Sequence, residues 1–492
     1  MTVVLRQFAP YDLEGVLEIE RVSFPDPWSP AMFMGEICRS DRIWLVAEQA
    51  DGRVVGYGGV MIVGDEAHLM NLAVAPSARR CGVGQTLYDD LAIRAARAGA
   101  RRLTLEVRDD NEAALGFYRA VGLAVEGVRS EYYQAGQDAL IMWGDLPEAE
   151  RRLPPPGREI VLAIETSCDE TAAAVMRGGT EVLSSVVASQ VDFHARFGGV
   201  VPEIASRKHT EAIVGVVAEA LDRAGLTMGH VDALAVTHGP GLIGALVVGL
   251  AYTKGLAFAT GLPLVGVNHL EGHIFANVLV DPDIEPPLIA LVVSGGHTSL
   301  VHVRQWGVYE TLGETLDDAA GEAFDKVAKV LGLGYPGGPI LSRFAAEGDP
   351  NAIAFPRAMM RSGDYRFSLS GLKTAVINHI RHEREAGREI DVPDLAASFQ
   401  AAIVDVQVAK TVRAAEEHGV KTVCLAGGVA ANPSLRESLR SALAERGATL
   451  TVPEIGLCTD NAAMIAAAGT WRLRHGDLLG LDAEAVADLP LG

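Results

Sequence analysis

Ile160–Val175, reading IVLAIETSCDETAAAV, is an apolar run, a polar turn and a second apolar run. This is the pattern of two buried strands joined by a tight connection. Leu288–Val303, LIALVVSGGHTSLVHV, repeats the design about 130 residues later. Two such openings predict duplicated lobes facing one cleft. The small hydroxyl and glycine residues at both turns let backbone amides close on phosphate oxygens. A third glycine turn, Leu425–Asn432 (LAGGVAAN), follows a strand and precedes a helix.

That arrangement resembles the actin, Hsp70 and sugar-kinase superfamily, an α/β fold (ASKHA) that places a nucleotide between two lobes. Between the openings lies Asn268–Val278, NHLEGHIFANV. In a helix, His269 and His273 stand one turn apart on one face and can grip a metal ion if a third ligand arrives from elsewhere. The spacing alone also describes two ordinary histidines. It is not the H-E-x-x-H peptidase pattern, because Glu271 follows the first histidine by two positions.

A chain of 492 residues exceeds one ordinary core and predicts two to four domains. The start lacks a signal peptide's basic-then-apolar order. Gly241–Val267 is apolar but broken by Lys254, Pro263 and internal glycines, so it predicts a buried helix and strand and no membrane span. Cys38, Cys81, Cys168, Cys424 and Cys458 form no C-x-x-C pair, so a cytoplasmic protein without disulfides is expected. The net charge of −21 opposes a polyanionic partner. Yet Arg357, Arg361, Arg366, Lys373, Arg381, Arg384 and Arg388 face only Asp364, Glu383 and Glu385 within their own run, a candidate phosphate-binding patch.

The triplet Pro154–Pro156 before Gly157 predicts a stiff spacer, and residues 1–150 hold no lysine. The domains expected are 1–147, a proline-rich linker over 148–158, and 159–492 with lobes at about 159–285 and 286–475. In the first, Ile43–Glu48 and Val54–Val63 read as a hairpin about Asp51-Gly52. Further strands are expected at His68–Val74 and Leu103–Arg108, with helices over Thr86–Ala98 and Asn111–Val121. The glycines of Arg79–Gln85 free backbone N–H groups at a helix start, a site for pyrophosphate.

Leu72-Ala73-Val74, the R-x-x-G-x-G of Arg79–Gly84 and LEVRDDNEAALGFYRAVGL ending at Leu123 resemble the GNAT acetyltransferases, most closely the RimI-type ribosomal-protein alanine N-acetyltransferases. The resemblance implies a mixed sheet that splits to admit acetyl-CoA. Leu72, Ala73, Val74, Arg80, Cys81, Gly82, Val83, Gly84, Gln85 and Asn111 would hold the cofactor. Glu106 would take a proton from the incoming α-amine and Tyr118 would protonate the leaving thiolate. Asp110 and Leu123 depart from the family's usual serine and phenylalanine.

Beyond the linker, IETSCDET, GPGLIGAL, NHLEGHIFA, VVSGGHTSL, FSLSGLKTAV, LAGGVAAN and TDNAAMIA together resemble the TsaD (Gcp, Kae/Qri) family, which makes threonylcarbamoyladenosine in tRNA. By that resemblance His269, His273 and Asp460 are ligands of one divalent metal, Fe(2+) by family habit with zinc also suited. Val292, Val293, Ser294, Gly295 and Gly296 would line the phosphate and acyl region, and Asp325, Gly338 and Asn432 the nucleoside. The chain would be bifunctional. It would transfer threonylcarbamoyl from threonylcarbamoyl-AMP to the tRNA adenosine beside the anticodon, and acetylate the N-terminal alanine of a ribosomal protein. A TsaB-like paralogue and a TsaE-like ATPase would assist. The alternatives are a kinase, ATPase or metallopeptidase on the same fold, with a non-catalytic acetyl-CoA-binding module.

Overall fold

In the first unit, β1 (Val4–Gln7), β2 (Arg42–Glu48), β3 (Val54–Val63), β4 (Glu66–Val74), β5 (Arg102–Arg108), β6 (Ala124–Gln134) and β7 (Gln137–Asp145) form one sheet in the order β1-β2-β3-β4-β5-β7-β6. The computed structural model describes residues 3–37, 39, 41–134, 137–146 and 154–491. Cys38 and residues 148–153 of the expected linker lie outside them. The chain forms two compact units, one built mainly from residues 1–152 and the other from 153–492.

Every strand pair of the first sheet is antiparallel except β4–β5, which is parallel and ends after Glu66↔Arg102, Ala67↔Leu103 and His68↔Thr104. Beyond that rung the two strands run on apart, to Val74 and Arg108. A bulge sets Gly59 opposite Asn71 but Val60 opposite Leu69, so one residue of β4 is extra and the strand turns away. The sheet therefore opens where a mixed, splitting sheet was expected. Leu87 and Leu91 of the Val83–Arg97 helix pack on Leu45, Leu103 and Leu105 across one face. Phe8, Phe33, Trp44 and Tyr57 fill the other. Gly59 is required there, because a Cβ would sit 2.4 Å from the Trp44 ring.

The second unit holds two five-stranded sheets. β8 (Ile160–Glu165), β9 (Glu170–Arg177), β10 (Glu181–Ser189), β11 (Ala233–Gly239) and β12 (Leu264–Asn268) are ordered β10-β9-β8-β11-β12. β13 (Leu288–Val293), β14 (Thr298–Gln305), β15 (Val308–Glu314), β16 (Thr422–Ala426) and β17 (Thr449–Thr451) are ordered β15-β14-β13-β16-β17. Order and direction agree strand for strand: two antiparallel pairs, then two parallel ones. The duplicated-lobe expectation thus has its structural counterpart. All residues of β8 and β13 are buried, which is why both read as unbroken apolar runs.

One lobe boundary differs from expectation. The second lobe was to run to residue 475, but the Ala462–Arg474 helix packs on the first sheet, joining Val161, Ala163, Ala235 and Val267 in one core. Small residues permit the close approach: a Cβ at Gly469 would meet Ala235 Cβ at 2.5 Å. The Ile243–Thr260 helix is long and apolar enough by composition to cross a membrane. Leu250 and Ala257 on it join the core of Leu162, Ile164 and Leu234, and β12 follows as the expected strand.

Candidate active sites

In the second unit the chemistry gathers at the carboxyl ends of parallel strands, where open α/β sheets bind ligands. The short His269–Phe275 helix starts directly from β12, capped by the Asn268 side chain, which accepts from the Leu270 N–H at 2.9 Å. Every residue of that helix is buried. Its burial explains why both histidines point at a partner and not at water. The partner is Asp460, in the turn before the Ala462–Arg474 helix. His273 Nε2 lies 3.2 Å and His269 Nε2 3.5 Å from Asp460 Oδ1, and the two rings are 4.6 Å apart.

One ligand atom from each of the three residues lies within 4.8 Å of the others. His273 is fully buried; its Nδ1 finds no hydrogen-bond partner, and its Nε2 faces only Asp460. A buried imidazole left so is costly unless a cation completes it. The donor set fits a divalent metal: two nitrogens and one carboxylate suit iron or zinc. Electrostatics agree. Burial lowers the proton affinity of His269, but Asp460 and Glu165 outweigh it and push its pKa up to about 9. The site thus carries surplus negative charge and favours a positive one.

Glu271, between the histidines, faces away. It accepts a hydrogen bond from the Tyr309 hydroxyl at 2.6 Å and pairs with Arg472 Nε at 2.6 Å. A carboxylate held in a buried ion pair is not a free general base, so Glu271 cannot play the part a metallopeptidase would give it.

The predicted phosphate turn lies nearby in the fold. Val292 and Val293 are buried at the end of β13, and Gly295 and Gly296 are exposed. Ser294 Oγ accepts from the His297 N–H at 3.1 Å, which tightens the turn. A Cβ at Gly321 would sit 2.8 Å from Ser294 O, and one at Gly427 would sit 2.4 Å from Val293 O. The start of the Ala320–Leu331 helix and the third glycine turn therefore close on the same strand end. The nucleoside candidates have local roles already. Asp325 Oδ1 accepts the Gly337 N–H at 2.7 Å, beside Gly338. Asn432 caps the Pro433–Ala444 helix through Leu435 N at 3.0 Å and donates to Gln400 Oε1 at 2.6 Å.

Sequence reasoning passed over three residues here. Glu165 and Ser167 both face His269 Nδ1 at 3.1 Å. The His297 ring lies 6.5 Å from that of His269; burial, then the charges of His269 and His273, lower its pKa to about 4. Their signal was their membership of the ETSC and SGGH turns.

In the first unit Leu72, Ala73 and Val74 sit on β4 beyond its last rung with β5. Gly82, with φ 85°, precedes the Val83–Arg97 helix, and no side chain caps it, so the N–H groups about Val83, Gly84 and Gln85 offer an anion site. Arg80 also has a positive φ, 59°, and Arg80 and Cys81 are exposed beside this turn. Glu106 lies on β5 past the split, with Arg129 Nη1 3.1 Å from its carboxylate. Tyr118 lies on the Glu112–Ala120 helix against Phe117, ring centroids 5.4 Å apart. Asn111 caps that helix through Ala114 N at 3.1 Å.

The arginine-rich run is less cationic than its sequence suggests. Asp405 pairs with Arg357 at 3.0 Å and Asp318 pairs with Lys373, both acids arriving from outside the run. Asp364 takes Arg366 at 2.6 Å, and Glu383 takes Arg388 at 2.5 Å. Arg361 and Arg384 remain exposed.

Two lobes of matching topology, with a His–His–Asp cluster at the strand ends of the first, define a protein of the actin, Hsp70 and sugar-kinase class that carries a cation-ready centre. Within that class the chain belongs to the tRNA N6-adenosine threonylcarbamoyltransferase (TsaD) family, whose model matches residues 181–467. Residues 13–123 match the acetyltransferase (GNAT) family, so the chain is an acyltransferase with two transferase domains. Both are the families its motifs resemble. A tRNA N6-adenosine threonylcarbamoyltransferase of Clostridium botulinum (strain 657 / Type Ba4) is 54% identical over 332 residues, 68% of this chain and 98% of the relative. One from Bacillus subtilis (strain 168) is 57% identical over 317 residues, 64% of this chain and 91% of the relative. The crystal structure of the ribosomal-protein-S18-alanine N-acetyltransferase from Escherichia coli aligns at 28% identity and a TM-score of 0.29, covering 31% of this chain and 99% of that one.

Proposed function

We propose that the second unit transfers the threonylcarbamoyl group from threonylcarbamoyl-AMP to the exocyclic amine of the tRNA adenosine beside the anticodon. The observation that carries this reading is the His269–His273–Asp460 cluster, two buried histidines facing a partly exposed aspartate beside the Ser294–His297 turn, in a chain of the TsaD family. His269, His273 and Asp460 hold one divalent metal, iron or zinc, which when bound supplies Lewis acidity toward the acyl carbonyl. The turn at Ser294, Gly295 and Gly296, with Val292 and Val293 behind it, receives the phosphate. Asp325, Gly338 and Asn432 shape the nucleoside end.

In the reaction the amine nitrogen bonds to the carbamoyl carbon and gives up one proton to the departing phosphate, the bond from that carbon to the phosphate oxygen breaks, and AMP leaves with the electron pair. Backbone N–H groups at the glycine turns stabilise the charge that grows on the phosphate. His297, with its lowered pKa, stays neutral at physiological pH and adds no competing cation. Arg361 and Arg384 are the tRNA contacts of the basic run; reversing both should flatten the salt dependence of tRNA binding.

The first unit acetylates the N-terminal alanine of a ribosomal protein. Acetyl-CoA enters the split between β4 and β5, its pyrophosphate on Arg80–Gln85, and its thioester lies along Leu72–Val74 with Asn111 beside it. Glu106 takes the proton of the α-ammonium and Tyr118 returns one to the thiolate. A TsaB-like paralogue and a TsaE-like ATPase support turnover, and the cytoplasm, where tRNA is found, is the place of action. Mass analysis of nucleosides after incubation with threonylcarbamoyl-AMP and tRNA tests the main reading. Modified adenosine is expected, and a phosphorylated small molecule would point to the kinase alternative.

A further inference from the structure

Behind the His–His–Asp cluster lies a carboxylate with no direct place in the ligand set. Glu165 ends β8 and is fully buried, 0% exposed. Its Oε1 accepts the Ser167 backbone N–H. Its Oε2 accepts the Thr237 hydroxyl at 2.6 Å and faces His269 Nδ1 at 3.1 Å. The opposite nitrogen of the same ring, Nε2, is the one turned to Asp460. Three segments far apart in sequence therefore meet in one line: Thr237 on β11, Glu165 on β8 and His269 after β12.

We propose that Glu165 is the positioning residue of the metal centre, holding His269 in the tautomer and orientation that present its Nε2 lone pair to the ion. A neutral imidazole carries one proton, and an anionic oxygen at Nδ1 keeps it there. Thr237 fixes the carboxylate, so the ring cannot turn without breaking two buried hydrogen bonds. Charge balance gives a second reason. Glu165 and Asp460 together offset the two charges of a divalent ion held against two buried histidines. Without Glu165 one buried positive charge stands uncompensated. Ser167 Oγ lies equally close to Nδ1, 3.1 Å, but a neutral hydroxyl cannot supply that balance.

This inference rests on the metal-site reading, and the test separates the two. Zinc affinity of the full chain is measured by competition with a chromophoric chelator for wild type, Glu165→Gln, Thr237→Val and His269→Ala. His269→Ala should lose the ion; if it keeps zinc with unchanged affinity, the metal-site reading itself falls. With that control in place, Glu165→Gln should bind zinc ten- to a hundredfold more weakly. The gap between its zinc-loaded and zinc-free unfolding midpoints should shrink, whatever the shift of the zinc-free midpoint. A merely structural role would lower both midpoints and leave the gap. A zinc Kd within threefold of wild type overturns the proposal. Should Glu165→Gln fail to fold, Thr237→Val decides: affinity weaker by threefold or more supports the positioning role, and unchanged affinity overturns it.

Discussion

Replacing Asp460 by Asn tests the centre while leaving its shape intact. The amide has the outline of the carboxylate, so no cavity opens, but the anionic oxygen shared by His273 at 3.2 Å and His269 at 3.5 Å is gone. Structural zinc sites with four ligands bind with about 10–16 kcal/mol, or about 2.5–4 kcal/mol for each ligand. Loss of the one carboxylate ligand should therefore weaken divalent binding by about 3 kcal/mol, roughly two orders of magnitude in Kd. Stability without metal should fall as well, because the two buried histidines lose the anion they face, and urea unfolding reads that loss separately. Chelator competition on the purified full chain measures the Kd, and acetyl-CoA binding by the first unit serves as an internal control. A variant Kd within fivefold of wild type, with the control unchanged, would refute the assignment of Asp460 as a ligand.

Glu106→Gln should slow acetyl transfer to an alanine-starting peptide by about 10²–10⁴-fold, the usual worth of a general base, with acetyl-CoA affinity nearly constant; steady-state kinetics checks both. Glu271→Gln should leave zinc affinity alone but lower stability by about 3 kcal/mol, because it breaks a buried pair with Arg472; urea unfolding reads this. Burial, then Asp460 and Asp169, push the Glu170 carboxyl up to about 10. Because that lies above the unfolded value, its stabilising contribution is complete below about pH 4 and is lost as pH rises toward 10. In the metal-free chain stability should fall over that window, and Glu170→Gln should flatten the fall in urea midpoints between pH 6 and 9.

Much of the fold was legible because its signals are local. β8 and β13 are buried on both faces, so they read as plain apolar runs, and their shared turn design gave the duplication. The paired histidines were legible because four residues make one helical turn. What stayed hidden is long-range. Glu165 meets His269 across 104 positions, and no periodicity reports such a contact. Asp405 and Asp318 neutralise Arg357 and Lys373 from 48 and 55 positions away, so a charge count within the run overstated the patch. The Ala462–Arg474 helix follows the second lobe in sequence yet packs on the first. Its alanines and Gly469 fit close against Ala235, and that placement brings Asp460 to the histidines. The local bonds of Asn111 and Asp325 were equally invisible, since a side chain that holds a backbone N–H and one that binds a ligand read alike.

The most direct test is nucleoside analysis of tRNA incubated with threonylcarbamoyl-AMP and either wild-type chain or His269→Ala, each with its helper proteins. Threonylcarbamoyladenosine should accumulate with the wild type and be absent with the variant, while acetyl transfer by the first unit proceeds in both. Equal yield of the modified nucleoside from the two proteins would contradict the account.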